Sequence, residues 1–149
     1  MSLSDSAARR WAQLVTRMTE SPVDPRTLTI WARFVGVSLS TLRSRCSAIG
    51  VGAKASLDFT RLLRALVRSA RARSNPLLEL DVQDVRTIRR LYASGRLGDP
   101  YAGSSLPSLA QFLETQRLVG SADALWCVTS ELRIATPTPD HASVGRDQS

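Results

Sequence analysis

Between Ser38 and Ser47 the chain reads SLSTLRSRCS, five hydroxyls and two guanidiniums set around a short apolar stripe. These groups donate and accept hydrogen bonds, but nothing beside them could act as a catalytic base, so the chemistry they suit is recognition. With Leu42 facing a core and about 100° of rotation per residue, the opposite side of a helix collects Ser40, Arg43, Ser44 and Ser47, with Thr41 at the border and Arg45 next to it. That face is narrow and carries no acid. Small hydroxyls let a helix sink into a DNA major groove about 12 Å wide, and the Arg43 fork can bond guanine O6 and N7 together. Ser38, at the helix start, can donate to a phosphate alongside unpaired backbone N–H groups. The same residues would also make a plain solvated surface, so the elements that carry them decide the reading.

Those elements lie in Thr27–Ala48, TLTIWARFVGVSLSTLRSRCSA. Thr27 can cap a helix from Leu28 to about Phe34, because its hydroxyl accepts from the free N–H groups of the first turn. Gly36 ends that helix, and Ser38 caps a second from Leu39 to Ala48, in which Leu42, Cys46 and Ile49 share one face. Ala32 presents only a methyl where the second helix must cross closely. Gly36 can take the positive φ that reverses the chain in three residues, and Val37 plugs the turn. Together these features predict a helix-turn-helix in preference to an ordinary αα-corner.

The run TLTIWARFVGVSLSTLRSRC, followed by GVGAKASLDFTRLLRA, resembles the first helix-turn-helix subdomain of the AraC/XylS transcription regulators over residues 27–72. The matching positions are Ala32, Gly36, Val37, Ser38, Leu42, Cys46, Gly50, Leu57, Arg61, Leu62 and Ala65. Ala53 stands where that pattern usually has proline, Ser56 where it has an aromatic, and Cys46 where phenylalanine is commonest. The resemblance implies DNA binding. Regulators of that family usually join two such units to an effector-binding or dimerisation domain, and neither a second complete unit nor a β-rich sensor is visible in this chain.

Composition is consistent with a DNA partner. The net charge is +7, with thirteen Arg/Lys against four Asp/Glu in residues 1–75 and seven against nine in residues 76–149, so the positive excess travels with the helix-turn-helix. Nineteen of the twenty basic residues are arginine, which suits bidentate contacts but would equally follow from a GC-rich coding bias. No run approaches the length of a membrane span. Asp5, Arg9, Arg10 and Arg17 occupy a segment in which a signal peptide needs an apolar centre, so a cytoplasmic protein is expected, with no membrane partner. Cys46 and Cys127 stand apart from one another, and the one histidine, His141, lies in a polar tail, so neither a metal nor a cofactor is expected. With no nucleophile elbow, no phosphate-cradling glycine loop and no paired carboxylates in an apolar setting, no catalytic residue is assigned and an enzyme is not expected.

The remaining elements read as helices too, giving an all-α bundle. Ser4 or Ser6 can cap a first helix to about Thr19 with Trp11, Leu14, Val15 and Met18 as its core stripe. SPVDPR at 21–26 breaks the chain before Thr27, and Trp31 and Phe34 are expected to complete the first core. A long amphipathic helix spans about Ala53–Ala72, burying Leu57, Leu62, Leu63 and Leu66 or Val67. Arg61, Arg64, Arg68, Arg71 and Arg73 on its other side form either a solvated strip or a phosphate rail beside the recognition helix, and Arg61, Arg64 and Arg68 join the candidate DNA contacts on the second reading. Asp81 or Asp84 begins a helix through Ser94, with Val85, Ile88, Leu91 and Tyr92 on one side and Gly95 as the stop. The segment 84–95 faintly parallels 38–50 but lacks the preceding capped helix of a second reading unit. Pro107 opens a helix to about Leu118, closed by Gly120. Asp123–Ile134 fits helix or strand, with helical spacing of Leu125, Val128 and Leu132 and a cap at Ser121 favouring helix.

The expected organisation is a helix-turn-helix subdomain over 1–73, a helical subdomain for packing or dimerisation over 77–134, and a disordered tail over 135–149. The expected function is sequence-specific binding of double-stranded DNA in transcription regulation. One reader contacts few bases, and roughly 4–10 kcal/mol of specificity usually demands more, so a homodimer on paired half-sites or an accessory protein is expected. The alternative from a different class is a helical adaptor that uses the helix-turn-helix shape to bind protein.

Overall fold

The computed structural model describes residues 3–102, 108–116 and 122–132. Seven α-helices account for most of them: α1 (Leu3–Arg17), α2 (Leu28–Val35), α3 (Leu39–Ala48), α4 (Ala53–Ala72), α5 (Val85–Ser94), α6 (Leu109–Thr115) and α7 (Ala122–Leu132). Short 3-10 turns at Met18–Glu20 and Pro76–Glu79 follow α1 and α4. No strand occurs among the described residues, and the protein is all-α. None of its described helices is long and apolar enough to cross a membrane.

The bundle is built around α4, which packs against α1, α2, α3, α5, α6 and both 3-10 turns. Twelve of its twenty residues are buried, so it has no broad solvent face. The outer helices fold onto it through aromatic contacts: Phe59 of α4 stacks on Trp11 of α1 at 5.7 Å between ring centroids and on Phe112 of α6 at 5.8 Å. A buried indole must find an acceptor, and Trp11 Nε1 donates to Ser56 Oγ at 3.1 Å. Apolar residues from both halves of the sequence, including Val128 of α7, share one core, and α7 itself lies against α1.

Burial of α4 corrects the expected arginine strip. Arg61 and Arg64 do not face solvent: they are 7% and 1% exposed and spend their donors inside the protein. A guanidinium taken out of water needs near-complete pairing, and each arginine has it. Arg61 Nε and Nη2 fork onto the two oxygens of Asp24 at 3.0 and 2.6 Å. Asp24 is itself buried and also accepts from the backbone N–H of Asp81 at 2.7 Å. Arg64 donates to the carbonyls of Ser21 at 2.9 Å and Glu79 at 2.7 Å. Desolvation, with the charges of Arg68 and Arg61 nearby, lowers the Arg64 pKa from its usual value, and Asp24 and Glu79 oppose the shift. Arg68 is half-buried and bonds Glu79 Oε1 at 2.9 Å. These side chains clasp the segment between α1 and α2 to the segment between α4 and α5, and Arg61 and Arg64 have no free donor face for a phosphate rail.

Smaller departures from the expected pattern have local causes. Trp31, Ala32 and Val35 take the buried side of α2, which leaves Phe34, about 100° away from Val35, 43% exposed. Asp84, not Asp81, caps α5, with its carboxylate accepting from Thr87 N at 3.1 Å, and Val85 in the first turn is 42% exposed. Helix α6 starts at Leu109 behind a Ser108–Gln111 capping box. The apolar segment near the C-terminus is helix over Ala122–Leu132, with Val128 buried and Trp126 exposed. Pro107, Leu118, Gly120, Ser121, His141 and the tail 135–149 lie outside the described residues. At the end of α5, a Cβ on Gly95 would come 2.5 Å from Leu62 Cδ1 and 3.1 Å from Phe112 Cε1, so close approach to α4 requires glycine there.

Replacing Asp24 by Ala should cost about 3–5 kcal/mol, because it strands the buried Arg61 charge. Replacing Asp24 and Arg61 together by Leu and Met should recover much of that loss, as read by urea unfolding midpoints. Gly95→Ala should cost about 1–3 kcal/mol by overpacking Leu62 and Phe112, which are themselves held in the core. An unchanged midpoint would show that the α4–α5 contact relaxes freely.

Candidate nucleic-acid interface

The α2–α3 pair is formed by local chemistry at both ends of each helix. Thr27 caps α2, its hydroxyl accepting from Ile30 N at 3.2 Å. Gly36 has φ 78° and ψ 30°, the left-handed conformation. From it, Gly36 N donates to Arg33 O at 3.3 Å and Val37 N to Ala32 O at 3.1 Å, the paired closure of a Schellman turn. The same device ends α3: Gly50 has φ 80°, its N–H reaches Ser47 O at 3.0 Å, and Val51 N reaches Cys46 O at 3.3 Å. The two Gly-Val steps therefore terminate both helices of the motif by one mechanism. Ser38 caps α3, accepting from Thr41 N at 3.0 Å, and the Ser38 hydroxyl donates to Thr41 Oγ1 at 2.9 Å.

Two reciprocal bonds attach this pair to α1. Trp31 Nε1 of α2 donates to Leu14 O of α1 at 2.9 Å, and Arg17 Nη1 of α1 donates to Val35 O at the end of α2 at 2.9 Å. Each helix donates to a carbonyl in the last turn of the other. Leu42 and Cys46 are fully buried and Ile49 nearly so, which fixes the rotation of α3. Burial pushes the Cys46 thiol above its ordinary pKa, while hydrogen bonds with Ser56 and Trp11 oppose the shift, and the thiol stays a packing group.

With that rotation set, Ser40, Arg43, Ser44 and Ser47 are all exposed, Thr41 and Arg45 are half-buried, and Ser38 is exposed at the cap. The structure thus brings together seven of the ten expected contact residues on one helix and its cap, and separates Arg61, Arg64 and Arg68 from them. Residues 28–48 contain Arg33, Arg43 and Arg45 and no acid. None of these three arginines makes a hydrogen bond or ion pair with a described residue, in contrast to Arg17, Arg26, Arg61, Arg64, Arg68 and Arg71. The helix-turn-helix therefore carries three positive charges with no carboxylate partner among the described residues. Sequence reasoning missed Arg10, which α1 places beside α3 across a shared cleft. Its position immediately before Trp11 on the core stripe was the available signal, but only the packing of α1 on α3 gives it meaning.

The second half offers no equivalent arrangement. Helix α5 is preceded by a 3-10 turn, not by an α-helix, and its Arg89 bonds Asp99 at 3.2 Å and lies 5.4 Å from the Tyr101 ring centroid. Among the described residues, no group of three or more His, Cys, Asp or Glu is placed to hold a metal ion. The fold and this surface define an all-helical protein with an exposed, acid-free helix-turn-helix face. Comparison of the chain with protein-family models, curated proteins and solved structures finds no match.

Ser38→Ala should lower stability by about 1 kcal/mol, because it removes the acceptor for Thr41 N at the start of α3. Ser38→Asp should retain the cap. Thermal unfolding of the two variants distinguishes these outcomes, and equal midpoints for the alanine and aspartate variants would show that the cap contributes nothing.

Proposed function

We propose that the protein binds double-stranded DNA through α3 and acts as a transcription regulator of the helix-turn-helix type, with the resemblance to AraC/XylS regulators as part of that reading. The observation that carries it is the outward face of α3, on which Ser40, Arg43, Ser44 and Ser47 stand exposed opposite the buried Leu42 and Cys46. Such a helix fits a major groove: its side chains are short except for one guanidinium, and that group is free of internal partners and shaped for the guanine edge. The first-turn N–H groups of α3 left free by the cap supply a phosphate contact that sets register without reading sequence, while the expected Ser38 donation to phosphate is replaced by its bond to Thr41 Oγ1. Arg45, half-buried at the flank, supplies charge to the backbone on one side.

A single reading helix leaves specificity short of what one regulatory site needs, so the working unit is a dimer on paired half-sites or a complex with an accessory protein.

The test is anisotropy titration of labelled duplexes, first of random sequence and then of fragments selected from the random pool, at several salt concentrations. Binding to selected duplexes should weaken steeply with salt. Arg43→Ala should cost about 1–3 kcal/mol on the selected duplex and relax the preference at one guanine position. Absence of duplex binding at low salt would remove the proposal, and a loss that is uniform across sequences would make Arg43 a backbone contact.

A further inference from the structure

We infer that the cleft between α1 and α3 seats a phosphate group, with Arg10 and Arg45 as its cationic walls. The cleft has a volume of about 320 Å³, and Arg10, Ser40, Thr41, Ser44 and Arg45 line it. Ala7 and Ala48 complete the lining and keep its mouth open. No carboxylate lies among these residues. Such a donor set, two guanidiniums and three hydroxyls around one concavity, matches an oxyanion and offers nothing to a cation.

Two further observations point the same way. Neither Arg10 nor Arg45 makes a hydrogen bond or ion pair with a described residue, whereas three arginines of α4 are engaged: Arg61 with Asp24, Arg64 with two carbonyls, Arg68 with Glu79. The hydroxyl of Thr41 already accepts from Ser38, so its own proton is directed elsewhere and can enter the cleft. Arg10 therefore joins the functional surface from a helix outside the α2–α3 pair.

The inference rests on the DNA reading for the source of the phosphate, a backbone phosphodiester flanking the groove that α3 enters, but not for the seat itself. The experiment accordingly has two arms on the full chain. In the first, inorganic phosphate is titrated against the amide spectrum of the wild type, of the Arg10→Gln/Arg45→Gln double variant and of Ala48→Glu, which puts a carboxylate into the cleft. Saturable shifts confined to the residues of α1 and α3 that line the cleft are expected in the wild type and should vanish in both variants, whose unfolding midpoints confirm the fold. In the second, duplex affinity is measured against salt, and Arg10→Gln should flatten the log–log slope by about 0.9 without altering sequence preference. Shifts that are absent, scattered or unchanged in the variants would overturn the seat. Localised shifts with an unchanged slope would uphold the seat and assign it to a phosphate other than the DNA backbone. A protein that binds no duplex would lose the DNA reading, and the first arm would then decide the seat alone.

Discussion

The constraint from which most of the architecture follows is that α4 lies in the middle of the bundle and still carries arginines. Burying Arg61 and Arg64 is tolerable only where acceptors come to them, and the chain supplies Asp24, the Ser21 carbonyl and the Glu79 carbonyl from segments 21–24 and 79–81. Those segments have no regular structure of their own beyond a 3-10 turn, and the guanidiniums hold them in place. The Asp24 carboxylate, by also accepting from Asp81 N, joins the connection before α2 directly to the connection before α5. Such a pair adds little stability over an apolar replacement, but it fixes one arrangement, because a shift of either segment would leave a charge unpaired in the core.

This internal use of arginine decides where the external charge goes. A net charge of +7 says little about a binding surface until the paired cations are subtracted. Arg26, Arg61, Arg64, Arg68 and Arg71 lie against carboxylates and Arg17 donates to a backbone carbonyl, which leaves Arg9, Arg10, Arg33, Arg43 and Arg45 as the arginines of α1–α3 without a partner among the described residues. Of these, Arg43 and Arg45 are on α3 itself and Arg10 lies across the cleft from it. The reciprocal bonds of Trp31 and Arg17 join α1 to α2, and α1 also packs on α3, which sets an arginine on α1 beside the hydroxyls on α3.

The legible part of the fold was the part held by neighbours in sequence. Thr27, Gly36 and Ser38 act on residues three to five positions away, so the helix-turn-helix, its boundaries and the outward face of α3 could be read without tertiary knowledge. The long helix Ala53–Ala72 was legible for the same reason, but the fate of its arginines was not. A helical wheel places Arg61 and Arg64 on a polar side, and only the distant Asp24, 37 residues before Arg61, turns that side inward. Asp24 itself looks like a loop aspartate between two prolines. Phe34 misled in the opposite sense, because an eight-residue helix buries only one narrow stripe, and Trp31 and Val35 fill it. The cleft beside α3 was invisible because it needs α1 and α3 to meet, a contact between elements separated by a whole helix.

The proposed DNA binding requires α3 to enter the major groove and read base edges from it. The most direct measurement is methylation interference on a selected duplex, in which guanine N7 methyl groups mark the major groove and adenine N3 methyl groups the minor. Methylation of one or two guanine N7 positions should abolish binding while adenine N3 methylation beside them should not. Interference confined to adenine N3, or no interference from any base with binding intact, would contradict it.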